Sequence, residues 1–278
     1  MNMSVIQSLV MGFVSGLAEM LPISADAHRL ILRTIFGIPA EDALFRLFCH
    51  LAILGMLFWE FQPDVRHLHR TSRLMKTPPR QRRRPLDPAA AGTVRLMKSA
   101  ILTLFIMRLL LWKTDFLRDR PAVMTLTLTV NGLVLLIPAL VPNGDMDSRN
   151  MPRIMGVIMG VLAGLGGIPG FSAIGAVLAG AMALGVERHY ALRFGCILLL
   201  PNAVMDLLFD LAAVAAGGIP TVTTGGMIVL ALGAVTAGLA VMAGAKIMRS
   251  LADGRGFDSF AYYCWGAALL CYILFLIV

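Results

Sequence analysis

The sequence predicts an all-α polytopic membrane protein, an inverted repeat with six full transmembrane helices and two re-entrant helix-loop-helix hairpins. Three observations point there. Of 278 residues, 58% are hydrophobic and 14% charged, and mean hydropathy is +0.80, whereas a soluble domain carries about a quarter charged residues. Apolar runs near the ~20 residues needed to cross the hydrocarbon core recur along the chain. Two further apolar regions are interrupted by glycine and proline, and irregular backbone at membrane depth is tolerated where it lines protein or a cavity.

In chain order, the first broken region is 5–36, split around Pro22. Full crossings are assigned to 43–61, 96–112, 122–141, 190–213, 222–244 and 257–277. The second broken region, 154–184, is split around Gly166, Gly167, Ile168, Pro169 and Gly170. Each broken region is too long for one helix with such an interruption, so each reads as a hairpin that enters and leaves by one face. The chain is one integral membrane domain, 1–278, with 1–112 an approximate first repeat and 122–278 the second half. Pro22 and Pro169 stand 147 residues apart, as do Arg46 and Arg193. That shared offset is the sequence trace of a repeat.

Net charge is +8, and ten of the basic residues fall between Pro63 and Ala100, against Asp64 and Asp87 alone. In a membrane protein this is a cytoplasmic loop under the positive-inside rule, touching anionic inner-membrane lipid; nucleic acid is not an expected partner. Pro78, Pro79, Pro85 and Pro88 make it a loop rather than a helix; its basic core is 63–95. His67 and His69 within it are solvated. With that loop in the cytoplasm, the first broken region enters from outside and the second from inside. The loops at 142–153 and 246–255, the latter with Lys246, Arg249 and Arg255, fall inside, and both termini fall outside. The apolar N-terminus lacks the positive n-region of a signal peptide, and Glu19 interrupts it. Cys49, Cys196, Cys264 and Cys271 are scattered in apolar segments, which supports neither a disulfide framework nor a metal site.

Ionisable groups gather where the first region breaks: Glu19, Ser24, Asp26 and His28 surround Pro22. Such groups cost free energy in a membrane unless they face a cavity or a partner. His28 is either a base or a histidine hydrogen-bonded inside the bundle. If the Pro22 turn reverses the chain, Glu19 and His28 meet across it. Ser172 caps a half-helix whose N-terminus suits an anion, and Gly170 before it lets backbone N–H groups approach that anion. Asp206 and Asp210, one turn apart, either line the same cavity or hydrogen-bond between helices with Asn202.

The pattern Gly16-x-x-Glu19-x-Leu21-Pro22-Ile23-Ser24-x-x-x-His28 resembles the first signature of the bacterial undecaprenyl-diphosphate phosphatases, the BacA/UppP family, roughly E-G-x-T-E-F-L-P-[VI]-S-S-T-G-H. Pro169-Gly170-Phe171-Ser172 resembles their second, P-G-x-S-R-S-G. The likeness extends to Phe45-x-x-x-x-His50-Leu51, to Leu184-Gly185-Val186-x-Arg188 and to Phe260-Ala261-Tyr262-Tyr263, and covers nearly the whole chain. It implies an inner-membrane hydrolase that removes the terminal phosphate of undecaprenyl diphosphate, recycles the lipid carrier for peptidoglycan and confers bacitracin resistance. It also implies help from Mg²⁺ or Ca²⁺, although no protein metal-ligand cage is evident. Its partner is a polyprenyl (di)phosphate lipid.

The departures bear on catalysis. Where the family has its first glutamate this chain has Ser15. The second serine of the first signature, the family's proposed nucleophile, is Ala25. The arginine that would hold the diphosphate is Ala173, and the next serine is Ile174. Glu19, His28, Ser24 and Ser172 remain as catalytic candidates, with Ser24 a substitute nucleophile and Asp26 an accessory acid where the family has threonine. Arg46 and Arg193 stand where typical members are acidic. Each either snorkels to the headgroups or, with Gly170, supplies the phosphate-binding charge lost at Ala173. Two functions therefore stand: a phosphatase with altered or impaired chemistry, or a non-catalytic polyprenyl-phosphate binder or transporter.

Overall fold

The computed structural model describes residues 3–38, 42–82, 84–218, 222–252 and 257–277. These residues are all-helical, without a strand. The helices are α1 Val5–Met20, α2 Ala25–Phe36, α3 Ala43–Lys76, α4 Pro88–Leu111, α5 Pro121–Leu140, α6 Ile154–Gly164, α7 Ala173–Ala183, α8 Arg188–Gly217, α9 Thr224–Ala252 and α10 Phe257–Ile277. Five of them (α3, α5, α8, α9 and α10) are long and apolar enough to cross a membrane. Trp59, Leu126, Leu140, Val235, Leu239 and Leu276 on these helices point their side chains outward. This is a multi-pass membrane protein. α4 has 24 residues but carries Arg95, Lys98 and Arg108.

Both interruptions fall where the sequence puts them. Proline disfavours the helical conformation for the residue before it, and Leu21 ahead of Pro22 is extended, at φ −93° and ψ 158°. Gly170 sits at φ +90°, a left-handed conformation, and an added Cβ would fall 1.8 Å from Thr127 Oγ1, so only glycine suits the second break. Helix starts follow the side chains that cap them. Asp42 accepts from the backbone N–H groups of Leu44 and Phe45, and Glu187 accepts from those of His189 and Tyr190.

The basic segment differs from expectation. α3 runs through Pro63 to Lys76, and α4 begins at Pro88, so what separates the two α-helices shrinks to a short connection that includes a 3₁₀ turn at Pro79–Gln81. Residues 64–76 contain no glycine and many good helix formers, and Arg73 and Lys76 complement the negative end of the helix dipole. Pro88 starts a helix rather than ending one, at the first position after the Asp87 cap, where its missing N–H costs nothing. At the other basic loop, Lys246 and Arg249 are still within α9; Arg255, like Arg83 of the first segment, lies outside the described residues.

α1 packs on α9 and α6 packs on α4, each through closely spaced glycines. A Cβ on Gly12 would fall 2.1 Å from Gly233 O, and one on Gly16 would fall 1.9 Å from Ala237 O. On α6, Gly156 and Gly160 press on Leu96 and Ala100 in the same way. Small residues four apart let two backbones approach closely where no hydrophobic effect operates between helices. Gly16→Leu is therefore expected to cost about 3 kcal/mol or more, read as loss of monodisperse protein after detergent extraction. A wild-type yield and melting temperature would contradict this close seat. α5 packs on α10 and α3 on α8, while α9 also packs on α3, α8 on α4, α10 on α2 and α7 on α5.

Candidate active site

The two breaks meet. Ser24 is the N-cap of α2 and its side chain accepts from Ala27 N–H at 3.2 Å. Ser172 is the N-cap of α7 and accepts from Gly175 N–H at 3.3 Å. Asn131 of α5, fully buried, ties them together. Its Nδ2 donates to Pro22 O at 3.3 Å, and its Oδ1 accepts from Ser172 N–H at 3.2 Å. Nothing in the sequence marked Asn131, because its role depends on two loops distant from it.

Between the breaks lies a cavity of about 40 Å³ lined by Glu19, Ser24, Ala25, Asp26, Ser172 and Ala173, with Arg29, Arg118, His50, Asn202 and Asp206 completing its polar wall. It has room for a few waters. Ala25 and Ala173, two of the departures from the signatures, both face it. The N-termini of α2 and α7 supply positive dipole ends there. Two guanidiniums from different elements reach the same place. Arg29, on α2, donates to Asp26, and Arg118, just beyond α4, forms an ion pair with the same Asp26 oxygen at 3.1 Å. Arg29 and Arg118 were not singled out in the sequence. The signal for Arg29 was available, since an ionisable residue inside an apolar region is a functional candidate by default.

Charges continue behind the cavity. Asp206 pairs with Arg108 of α4 and accepts from Asn202 Nδ2 at 3.4 Å. Asn202 Oδ1 is buried without a hydrogen-bond partner. One turn further along α8, Asp210 accepts from Arg46 and from His50 Nδ1, the latter at 2.5 Å.

The other candidates are placed elsewhere. His28 sits one turn into α2, with Nδ1 2.5 Å from Ser24 O and Nε2 2.7 Å from the hydroxyl of Tyr263 on α10, its ring stacked on that tyrosine. It faces α10, and the histidine on the cavity wall is His50. Arg46 is engaged with Asp210, and Arg193 pairs with Asp64 at an exposed position; Arg193 borders a different cavity, with His67 and Tyr190. The two arginines at the shared offset do not converge. Gly170 shapes the turn before Ser172. Ser15 donates to Met11 O at 2.7 Å within α1 and is spent on its own helix. The four cysteines are buried. Among the described residues, no three His, Cys, Asp or Glu side chains gather closely enough to hold a metal ion. Glu19, Asp206 and Asn202 nevertheless bring oxygen donors to one cavity, the donor type that hard divalent cations take.

The family model described as bacitracin resistance protein BacA matches residues 8–270. A protein named undecaprenyl-diphosphatase from Methanobrevibacter smithii is 25% identical over 276 residues, covering 98% of each chain. One of the same name from Sinorhizobium medicae is 28% identical over 270 residues, 94% of this chain and 93% of its own. Undecaprenyl-diphosphatase 1 of Shouchella clausii is 26% identical over 275 residues, 98% of this chain and 96% of its own.

Proposed function

This chain belongs to the bacitracin resistance protein BacA family, and from that premise we propose that it removes the terminal phosphate of a polyprenyl diphosphate, the undecaprenyl carrier of cell-wall synthesis. The observation that carries the reading is the single cavity into which both serine-capped helix N-termini and two arginines open. Those are the groups that gather a phosphate.

In this reading Arg29 and Arg118 hold the terminal phosphate, which competes with the Asp26 carboxylate for their guanidiniums. Ser24 Oγ attacks the terminal phosphorus, and Glu19 takes its proton. The bond to the bridging oxygen breaks, lipid monophosphate leaves, and water then releases the phosphate from serine. Ser172 holds the N-terminus of α7 toward the developing charge. Mg²⁺ or Ca²⁺, when bound, would neutralise diphosphate charge beside Glu19, Asp206 and Asn202, with substrate oxygens and water completing its shell. Glu19 stays the proton acceptor, and Asp206 with Asn202 would hold the cation.

The site belongs, in this proposal, to an inverted repeat with six crossings, α4 being the sixth, and two re-entrant hairpins, α1–α2 and α6–α7; its halves divide between α5 and α6 rather than between residues 112 and 122. The packing supports it: exchanging α1–α5 for α6–α10 converts the α1–α9 contact into α6–α4, α3–α9 into α8–α4 and α2–α10 into α7–α5, and leaves α3–α8 and α5–α10 unchanged. α3 at ~1.5 Å per residue is about 50 Å long, more than the ~30 Å core, so its basic end stands in the cytoplasm with the 77–87 turn. The termini then lie outside, and the membrane is the bacterial inner membrane.

The test is phosphate release from undecaprenyl diphosphate by the purified chain in detergent with Mg²⁺ or Ca²⁺. Wild-type release that drops about 100-fold or more in Ser24→Ala is expected. Saturable binding of the lipid without release would make the chain a polyprenyl-phosphate binder.

A further inference from the structure

We propose that His50, held by Asp210 and Arg46, is the second proton-transfer residue of this site. The inference rests on the phosphatase reading above and deepens it. Arg46 and His50 are one turn apart on α3, and both reach Asp210 of α8: Arg46 donates to one carboxylate oxygen and His50 Nδ1 meets the other at 2.5 Å. All three are buried, at 9%, 4% and 2% exposure. An Arg–Asp pair is already neutral, and what the histidine adds is a hydrogen bond to the second carboxylate oxygen. The histidine is surplus to charge balance, and it is the only one of the three on the wall of the cavity.

Its orientation suits the task. With Nδ1 directed at a carboxylate, that nitrogen carries the proton, and Nε2 is the edge left for the cavity. Arg46 fixes the carboxylate from the other side. Asp210 and Arg46 are then positioning residues, acting through His50. His28 has no such opening, since both of its nitrogens are committed, to Ser24 O and to the Tyr263 hydroxyl.

The protons balance with two groups. In the first half, Ser24 forms its bond to the terminal phosphorus and gives its proton to Glu19. Protonated His50 gives its Nε2 proton to the bridging oxygen as the phosphoanhydride bond breaks, and lipid monophosphate leaves. In the second half, water attacks the phosphoserine and His50 takes its proton. The serine oxygen departs with the proton stored on Glu19. One water is consumed, inorganic phosphate is released, and both groups return to their starting state. The use of Arg46 also accounts for a basic residue where the resemblance calls for an acid, because it supports an acid placed instead on α8.

The experiment is steady-state phosphate release from undecaprenyl diphosphate by the full chain, with His69→Gln, on the exposed face of α3, as the control. His50→Gln should lower kcat by about 100-fold or more, the usual weight of a positioned acid or base, with KM within about threefold. Asp210→Asn should lower kcat by about tenfold, again with little change in KM. Imidazole added to His50→Ala should restore activity at least about tenfold. The folded fraction is followed by size exclusion in every variant. A kcat for His50→Gln within about threefold of wild type overturns the proposal. So does a loss that appears only together with loss of folded protein, or a loss in His28→Gln with His50→Gln active. Absence of release from the wild type, by contrast, overturns the phosphatase reading itself and this inference with it.

Discussion

Replacing Arg29 and Arg118 together by glutamine is expected to lower kcat/KM for a polyprenyl diphosphate by about three orders of magnitude. Phosphoryl transfer leaves a protein little covalent work, so catalysis is mostly positioning and charge stabilisation, and one well-placed arginine is worth about 10³-fold or more. The resemblance puts that arginine at the position of Ala173, which faces the cavity with a methyl group. Arg29 and Arg118 come from other elements to the same cavity and already hold a carboxylate, that of Asp26. A carboxylate and a phosphate oxygen make the same demand on a guanidinium. Lysine in either place would supply charge but not the planar fork, so Arg29→Lys and Arg118→Lys should each recover only part of the loss. Steady-state phosphate release decides it. A double variant within about threefold of wild type would remove the phosphate from these arginines and return attention to the helix N-termini alone.

The breaks were legible because they are local. Pro22 and the run from Gly166 to Gly170 interrupt helices by rules that act over one or two residues, and Ser24 and Ser172 cap the helices that follow by rules of the same range. The length of α3 was not legible. A high density of arginine reads as solvent exposure, which is correct, but exposure does not end a helix; Pro78 and Pro79 do. The glycine spacing in α1 and α6 is that of a packing stripe, but spacing alone does not say which helix lies against it. The site was half legible for a different reason. Glu19, Ser24, Asp26 and Ser172 belong to the breaks themselves and came with them. Asp206 reads as one of two alternatives, a cavity residue or a partner of Asn202, whereas Arg118 depends on where the segment after α4 returns, and His50 and Asn131 on which faces of α3 and α5 turn inward. A nearly uniform apolar helix carries little amphipathic signal to fix that rotation. His28 shows the same limit. Nine residues from Glu19, it suggested a meeting across the turn, yet its place one turn into α2 aims it at α10.

Arg108→Met alone is expected to destabilise the chain by about 3–5 kcal/mol, the usual cost of stranding one partner of a buried ion pair. Arg108 is 3% exposed, pairs with Asp206 and lies 5.5 Å from the centre of the Phe209 ring. Without it, among the described residues, Asp206 keeps the 3.4 Å contact from Asn202 and the few waters the cavity can hold, too little to replace a guanidinium. The double variant Arg108→Met with Asp206→Leu removes both charges and should regain most of the lost stability, because well-packed apolar side chains often replace a buried pair at no net cost. Activity separates the two roles of Asp206. If its carboxylate serves only to neutralise Arg108, the double variant folds and turns over. If it is one of the oxygen donors on the cavity wall, the double variant folds and its dependence on Mg²⁺ or Ca²⁺ weakens, with kcat falling by about 100-fold. Thermal melting followed by size exclusion, beside phosphate release across a cation titration, distinguishes these outcomes. The second is expected, since a neutralising partner has no need to face the cavity and Asp206 does.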